Sequence, residues 1–264
     1  MAERIAELSA QRFTDAIRRP ISEPVAIEEP LEIRIDKEKF AITMRTPGDE
    51  IPLTYGLMLS EGLIQDLSDI KEILYENGFV NVSPSTTFSG KISEHRRFFN
   101  RTSSCGICGR DSIEAVLSAE PPILSPTGPK FSSFIIEGLG EALEKAQCDF
   151  DETGGVHAVA RFSVTGEISA IAEDVGRHNA MDKLVGQALI DGALPLSNEG
   201  LMLSGRVSFE MVQKAIMAGS PILVALGAPT SLAVELARQH GLTLIGFAKE
   251  HRFNVYSGAF RLKD

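Results

Sequence analysis

The chain has 264 residues, of which 43% are hydrophobic and 23% charged, and its formal net charge is −10 at pH 7. This length fits one large or two ordinary domains with a substantial core. The acidic balance argues against broad electrostatic binding of DNA or RNA, since that needs a basic face. No run approaches the ~18–20 apolar residues of a membrane helix, and the first twenty residues lack the apolar segment of a secretory signal. We therefore expect a cytoplasmic protein that binds neither nucleic acids nor membranes.

The first third of the chain predicts a small α+β unit. Residues 1–29 are polar and are expected to form a loose or partly helical arm. Residues 31–45 alternate, with Leu31, Ile33 and Ile35 on one face, which predicts a β-hairpin. A helix is expected over 48–64, with Asp49 as its cap and two short strands after it, at 70–76 and 78–84.

A loop-like stretch separates this unit from the rest of the chain. Residues 83–110 are rich in Ser, Thr and Gly, and a short helix is expected over 111–122. A connector rich in Pro and Gly follows, at 121–130. We place the domain boundary here, giving an N-terminal domain of residues 1–125 and a C-terminal domain of residues 126–264.

The C-terminal half predicts regularly alternating elements. Their order is α-β-β-α-β-α-β-α-β, which favours a three-layer α/β domain with a mostly parallel sheet. The expected elements span 132–147, 156–164, 167–174, 177–190, 200–205, 208–219, 221–226, 231–240 and 242–248.

Three strand-to-helix junctions carry polar residues beside glycines, at 173–179, 204–210 and 227–231. Helix N-termini at one sheet edge favour a phosphate or pyrophosphate, and Arg177, His178 and Arg206 would add positive charge there. Ordinary helix capping with surface charge is the alternative. A fourth polar group follows the last expected strand, at 247–254, and His157 is interpreted as a hydrogen-bonded structural histidine.

The cysteines argue against a metal site. Cys105 and Cys108 form one CxxC pair in "SSCGICG", whereas Cys148 has no close partner and is expected to be a packing residue. A closed structural zinc site needs four Cys or His ligands, and a second CxxC is absent. Zinc-dependent deamination needs H-x-E and P-C-x-x-C, and no histidine here is followed by x-Glu.

A reactive thiol explains the CxxC pair better. Nearby cations lower a thiol pKa and favour the thiolate, and four arginines are close in sequence: Arg96, Arg97, Arg101 and Arg110. A thiolate in a Gly/Ser-rich loop suits disulfide exchange, and it equally suits carrying sulfur as a persulfide. The residues alone do not separate disulfide exchange from sulfur carriage, and two incidental reduced cysteines are the alternative to both.

Long ordered motifs carry a family resemblance. From about residue 24 to residue 258 the chain resembles the FdhD family, the accessory sulfurtransferases of formate dehydrogenase. The motifs are "TMRTPGDE", "LSEGLI", "SSCGICG", "TGGVHAVA", "EDVGRHNAMDKLVG", "LSGRVSFEMVQKA", "GAPTSLAVELA" and "GFAKEHRFNVYSG".

The resemblance implies a function. Members take sulfur from a cysteine desulfurase as a persulfide and pass it to the molybdenum (or tungsten) bis-molybdopterin guanine dinucleotide cofactor that formate dehydrogenase needs. It also implies a cytidine-deaminase-like C-terminal fold without the zinc site, a cytoplasmic homodimer, and the formate dehydrogenase catalytic subunit as a partner. A non-catalytic chaperone that delivers the cofactor is the alternative.

The resemblance also assigns residues. Cys105 would carry the persulfide and Cys108 would assist or resolve it. The cofactor-binding stretch falls on Phe247, Ala248, Lys249, Glu250, His251 and Arg252, where "AKEH" departs from a glycine-containing form. The three polar junctions, with Arg177, His178 and Arg206, are expected to hold the guanine and pyrophosphate parts.

Overall fold

A computed structural model describes residues 2–85, 121–249 and 251–264. Most of the expected loop at 83–110 and of the expected helix at 111–122 lies outside these ranges. Cys105, Cys108 and Glu250 also lie outside them. No helix in the described ranges is both long and apolar enough to cross a bilayer.

The N-terminal arm is a long β-hairpin, so the expectation of a loose or partly helical segment was wrong. Strands β1 (Ile5–Thr14) and β2 (Ile17–Ala26) pair antiparallel from Ile5–Ala26 to Thr14–Ile17. Asp15 and Ala16 form the turn with φ of 51° and 63°. Both faces of the hairpin are largely exposed, so its strands lack the apolar alternation that marks a half-buried strand.

The predicted hairpin, helix and two short strands are present, and the four strands form one sheet. The strand order is β4-β3-β6-β5, formed by β3 (Glu29–Ile35), β4 (Glu38–Arg45), β5 (Ile70–Glu76) and β6 (Phe79–Pro84). Leu31, Ile33 and Ile35 are fully buried and share a core with helix α1 (Glu50–Ser60). Asp49 precedes α1, although its side chain makes no capping hydrogen bond.

The C-terminal half contains a six-stranded sheet in the order β13-β12-β11-β10-β8-β9. The predicted strands are present as β8 (His157–Phe162), β9 (Ile168–Asp174), β10 (Gly200–Leu203), β11 (Ile222–Ala225) and β12 (Thr243–Lys249). An edge strand, β13 (Arg252–Ser257), was not predicted. Two further short strands, β7 (Phe131–Ser132) and β14 (Leu262–Lys263), pair with each other.

This sheet is mixed, so the expectation of a mostly parallel sheet was wrong. The pairs β10–β11 and β11–β12 are parallel, whereas β8–β9, β8–β10 and β12–β13 are antiparallel. Two hairpins cause this, because a tight turn can join only antiparallel strands.

Helices cover both faces of the sheet and produce three layers. Helix α2 (Ser133–Ala146) packs on one face, where Met202 and Val224 point. The alternate residues Leu201 and Leu223 point to the opposite face. That face is covered by α4 (Arg177–Ile190), α5 (Phe209–Met217) and α6 (Ser231–Gln239), and a short helix α3 (Cys148–Thr153) follows α2.

Helix α1 joins the two halves through close contact with α4. A Cβ on Gly186 would lie 2.7 Å from the Gly56 nitrogen, and a Cβ on Gly56 would lie 2.6 Å from the Asp182 carbonyl carbon. The buried apolar cluster is consequently continuous from β3 through α1 to α4. The division of the chain at residue 125 stays a prediction.

Candidate functional site

Four strands of the large sheet end along one edge. Because β9 and β10 both run antiparallel to β8, the ends of β9, β10, β11 and β12 meet there together with the beginning of β8. The backbone closes this edge tightly: the Gly227 N–H donates to the Gly205 carbonyl at 3.1 Å, and the Phe247 N–H donates to the Gly227 carbonyl at 3.1 Å. The junctions after β10 and β11 and the end of β12 thus form one surface.

Glycine is required where these loops meet. A Cβ on Gly227 would lie 2.7 Å from the Gly205 carbonyl oxygen and 2.8 Å from the Arg206 nitrogen. Contacts this short with backbone atoms have no flexible side chain to relieve them. The loop that carries Arg206 is therefore held in place by the loop after β11.

The structure gathers the predicted Arg177, His178 and Arg206 around His157, the first residue of β8. A Cβ on Gly205 would lie 3.4 Å from His157 Nδ1 and 3.9 Å from Arg177 Cδ. Burial lowers the pKa of His157, and the charges of Arg177, His178 and Arg206 lower it further. His157 is consequently neutral at neutral pH, in a field that favours an anion.

Two of these cations lack an anionic partner. Within the described residues, neither Arg177 nor Arg206 forms an ion pair or a side-chain hydrogen bond, and Arg177 Nε is buried without a partner. Buried guanidinium N–H groups normally have acceptors, and a chain of net charge −10 has many carboxylates to offer. The arrangement suits an external anion.

His178, by contrast, is paired. Its Nε2 lies 3.9 Å from Glu210 Oε2 and 3.5 Å from Ser208 Oγ. The interaction with His178 lowers the pKa of Glu210 from 4.5 to about 2, with Ser208 assisting. The 3.9 Å separation is longer than a hydrogen bond, so the contact is an ion pair only when His178 is protonated.

A second polar pair lies one helical turn deeper between α4 and α5. Lys214 Nζ donates to both oxygens of Asp182, at 2.7 and 2.9 Å, and Ser60 Oγ of α1 donates to Asp182 at 3.1 Å. Burial raises the pKa of Asp182, and Lys214 opposes that shift. This pair links three helices and holds the N-terminal turn of α4 in position behind the site.

Other residues of the "EDVGRHNAMDK" motif face the N-terminal half. Asp174 is fully buried, with its Oδ2 2.8 Å from Lys183 Nζ and 3.1 Å from the Thr46 N–H. Asn179 Nδ2 donates to Asp174 Oδ1 and to the Met44 carbonyl. These side chains connect β4 to α4. Of the motif's polar residues, Arg177 and His178 remain for the site.

A cleft of about 1070 Å³ opens beside the cation cluster, between α2 and the sheet edge. His157, Ser204, Lys249 and His251 line it from the sheet side. The opposite wall comes from α2 and α3, and no motif predicted it, because its residues occupy ordinary amphipathic helix positions. These residues are Phe134, Glu137, Gly138, Gly140, Glu141, Glu144, Gln147 and Phe150.

The predicted stretch 247–252 is a β-hairpin rather than a loop after the last strand. Phe247, Ala248 and Lys249 belong to β12, and Arg252 begins β13. A bulge lies between the pairs Gly246–Asn254 and Lys249–Arg252, with Phe247 at a φ of 55°, which is strained for a bulky residue. Ala248 is buried, so of the described members only Lys249 and His251 line the cleft.

The prediction for Cys148 was wrong, because its side chain is exposed at the start of α3. Its sulfur lies 4.0 Å from the Ala146 carbonyl oxygen. Among the described residues, no three His, Cys, Asp or Glu side chains form a group that could hold a metal ion.

Comparison with known proteins identifies the family. The family model described as FdhD/NarQ matches residues 26–263. Curated relatives named "Sulfur carrier protein FdhD" include one from Streptomyces avermitilis, 44% identical and covering 95% of this chain and 93% of that one. Another, from Sulfolobus acidocaldarius, is 40% identical and covers 98% of each chain.

A solved structure has the same fold. The crystal structure of a proposed formate dehydrogenase accessory protein from Desulfotalea psychrophila superposes with a TM-score of 0.79 at 24% identity, covering 99% of this chain and all of that one. The family match over residues 26–263 and the curated relatives at 40–44% identity lead to one conclusion: the chain belongs to the FdhD/NarQ family.

Proposed function

We propose that this protein is a sulfur carrier of the formate dehydrogenase system. It would receive sulfur from a cysteine desulfurase on Cys105 and deliver it to molybdenum (or tungsten) bis-molybdopterin guanine dinucleotide, its acceptor substrate. The naming of relatives that are 40–44% identical over nearly the whole chain supports the sulfur role. The unpaired Arg177 and Arg206 beside a large cleft are the observation that supports an acceptor with phosphates.

Transfer onto the carrier is thiol exchange. The Cys105 thiolate attacks the terminal sulfur of the desulfurase persulfide, the S–S bond to the desulfurase breaks, and the desulfurase thiolate leaves. The new persulfide on Cys105 contains the transferred sulfur at the same oxidation level. No external oxidant is needed for this step.

Release as sulfide needs two electrons, and Cys108 can supply them. Its thiolate attacks the Cys105 sulfur, a Cys105–Cys108 disulfide forms, and hydrosulfide leaves to become a ligand of the acceptor's metal. A cellular dithiol reductant then restores the pair. This chemistry gives each cysteine of the CxxC motif a separate role.

The acceptor's phosphates would bind at the cation cluster. Arg177 and Arg206 offer guanidinium donors that fit phosphate oxygens, and Lys249, which lines the cleft, adds a third positive charge. The neutral His157 can donate or accept one hydrogen bond. The resemblance implies cofactor binding by residues 247–252. Within that stretch we assign Lys249 and His251 to acceptor contact, because both line the cleft.

The phosphate site can be tested with inorganic pyrophosphate on the full chain. Arg177→Gln or Arg206→Gln should weaken binding about tenfold, because each removes a charge-assisted contact. Arg238→Gln is the matched control. Arg238 lies in the last turn of α6, whereas the polar junction at 227–231 lies at the beginning of that helix, and the Arg238 side chain donates to the Tyr256 carbonyl. Unchanged binding in both site variants would refute the assignment.

A cofactor-delivering chaperone is the second candidate, because the cleft and its arginines do not depend on the cysteines. Formate dehydrogenase activity in a strain lacking its own carrier separates the two. Cys105→Ala should abolish activation, and Cys148→Ala should retain it as the control. Full activation by the Cys105→Ala/Cys108→Ala variant would establish the chaperone instead.

We also propose the remaining family features for this chain. They are action in the cytoplasm as a homodimer, contact with the formate dehydrogenase catalytic subunit, and a cytidine-deaminase-like C-terminal domain without a zinc site. The mixed sheet with helices on both faces supports the last of these.

A further inference from the structure

The β1–β2 hairpin is attached to the rest of the protein at its base. There Arg4 Nε lies 2.6 Å from Asp149 Oδ2 of α3. Along the hairpin several large apolar side chains are exposed: Leu8, Phe13, Ile17 and Val25. A two-stranded hairpin without further packing is at best marginally stable in water, so a partner for it is expected.

The backbone decides which edge of the hairpin can take a further strand. The Ile27 N–H donates to the Arg4 carbonyl at 2.8 Å, and hydrogen-bonded pairs alternate along an antiparallel ladder. The even-numbered residues of β1 are therefore bonded to β2, and the odd-numbered residues direct their N–H and C=O groups outward. On β2 the outward positions include Pro20 and Pro24, which have no N–H to donate. Prolines of this kind block an edge strand against pairing.

The outer edge of β1, by contrast, is open. Its outward residues include no proline, and they are Ile5, Glu7, Ser9, Gln11 and Phe13. Within the ranges that the structure describes, β1 and β2 form a sheet of two strands, so no third strand pairs with this edge. A row of unpaired N–H and C=O groups is a template for another strand.

The residues of this edge are complementary to themselves. When two copies of β1 pair antiparallel about a two-fold axis at Ser9, every outward residue of one strand is opposite an outward residue of the other. Ile5 is then opposite Phe13 of the second copy, and Glu7 is opposite Gln11. Moving the axis by one residue would place Ile5 opposite Gln11, or Glu7 opposite Phe13, and would leave outward residues without a counterpart.

Hydrogen bonds within the hairpin leave matching atoms free for this contact. Arg18 Nε donates to Gln11 Oε1 at 3.1 Å, and Ser22 Oγ donates to Glu7 Oε2. Among the described residues, Gln11 Nε2 and Glu7 Oε1 have no partner, and one is a donor while the other is an acceptor. The Gln11 amide of each copy can therefore donate to Glu7 of the other, and the two-fold axis forms this contact twice.

We propose that β1 pairs antiparallel with β1 of a second copy of this chain, about a two-fold axis at Ser9. The two hairpins then form one sheet in the order β2-β1-β1-β2, in which Phe13 packs on Ile5 of the other copy. Such an interface uses the same surface on both copies, so the assembly closes at two. This inference rests on the proposed homodimer and names its interface.

A disulfide across the axis tests the register. Cα atoms of a hydrogen-bonded antiparallel pair lie about 5.5 Å apart, which a disulfide can span. With Cys105, Cys108 and Cys148 replaced by alanine, Ser9→Cys should form a covalent dimer on mild oxidation. Ser22→Cys is the matched control, because Ser22 is opposite Ser9 on β2 and its copies would be three strand spacings apart, about 14 Å. Equal cross-linking of the two variants would overturn the register.

Sedimentation equilibrium of the full chain tests the edge. Wild type should have twice the chain mass of 28.6 kDa, and Ser9→Pro should raise the dimer dissociation constant at least about tenfold, because each copy loses an outward N–H. Ser22→Pro removes an outward N–H from the blocked edge and should leave the constant unchanged. Gln11→Glu should weaken the dimer about tenfold by placing two carboxylates opposite each other, and adding Glu7→Gln should restore it. Unchanged dimers in both Ser9→Pro and Gln11→Glu would refute the interface.

The outcomes separate this interface from the proposed function. If wild type is a dimer but Ser9→Cys cross-links no better than Ser22→Cys, the homodimer stands and the β1 interface is wrong. If wild type is a monomer, the homodimer and the interface both fail. The sulfur-carrier role depends on Cys105 and is decided separately by the transfer of sulfur to that residue.

Discussion

Replacing a glycine between α1 and α4 should destabilise the whole protein. A Cβ on Gly186 would lie 2.7 Å from the Pro52 carbonyl carbon and from the Gly56 nitrogen. Favourable carbon contacts need about 3.5–4.0 Å, so the helices would have to separate by roughly 1 Å. Overpacking of this kind costs about 3 kcal/mol, and the better helix propensity of alanine returns about 1 kcal/mol. We expect Gly186→Ala to lose about 2 kcal/mol.

Thermal unfolding followed by circular dichroism measures this loss. For a chain of this size 2 kcal/mol corresponds to a decrease in Tm of about 4–8 °C. Gly138→Ala is the matched control, because Gly138 is also inside a helix but has no atom within 4 Å of the added Cβ. It should raise the Tm slightly. A Gly186→Ala variant as stable as Gly138→Ala would refute the close contact of α1 with α4.

Three further predictions concern the supporting residues. Lys183→Met should cost about 3–5 kcal/mol in a denaturant titration, because it leaves the Asp174 carboxylate buried without its cation. Lys145→Met, on the exposed face of α2, should leave the unfolding midpoint nearly unchanged. Since the folded-state pKa of Glu210 is lowered to about 2, its contribution is present above pH 4.5 and lost as the pH falls toward 2. Unfolding from pH 7 to pH 2 should show that Glu210→Gln is less stable than wild type above pH 4.5 and equally stable near pH 2, and a difference that is constant with pH would contradict this. Gly227→Ala should weaken pyrophosphate binding in the same titration as the arginine variants, since the added methyl displaces the loop after β10; unchanged affinity would contradict the packing of these loops.

The sequence predicted the elements that bury one face and failed where burial gives no pattern. Leu31, Ile33 and Ile35 alternate because one side of β3 packs on α1, and the alternation identifies the strand. The β1–β2 hairpin is exposed on both faces, so its residues follow no period. Strand β13 was missed because the polar residues between β12 and β13 were interpreted as a loop.

The site was also predicted only in part, because only some of its residues belong to a local sequence pattern. The three polar junctions were predicted because glycines stand beside polar residues directly after expected strands, and two of the junctions include arginines. The "EDVGRHNAMDK" motif also contains Asp174 and Lys183, which form a buried ion pair. Both bond to the backbone of Thr46, directly after β4, and no local pattern encodes that tertiary contact. Gln147 lines the cleft, and its Nε2 is buried without a hydrogen-bond partner. It gave no signal in the sequence, since an unpaired amide is recognisable only after its surroundings are known.

Intact mass spectrometry after incubation with a cysteine desulfurase and cysteine tests the central claim most directly. Wild type and Cys108→Ala should gain the mass of a sulfur atom, and Cys105→Ala should not. No added sulfur in any of the three, with desulfurase activity confirmed in the same sample, would contradict the carrier function.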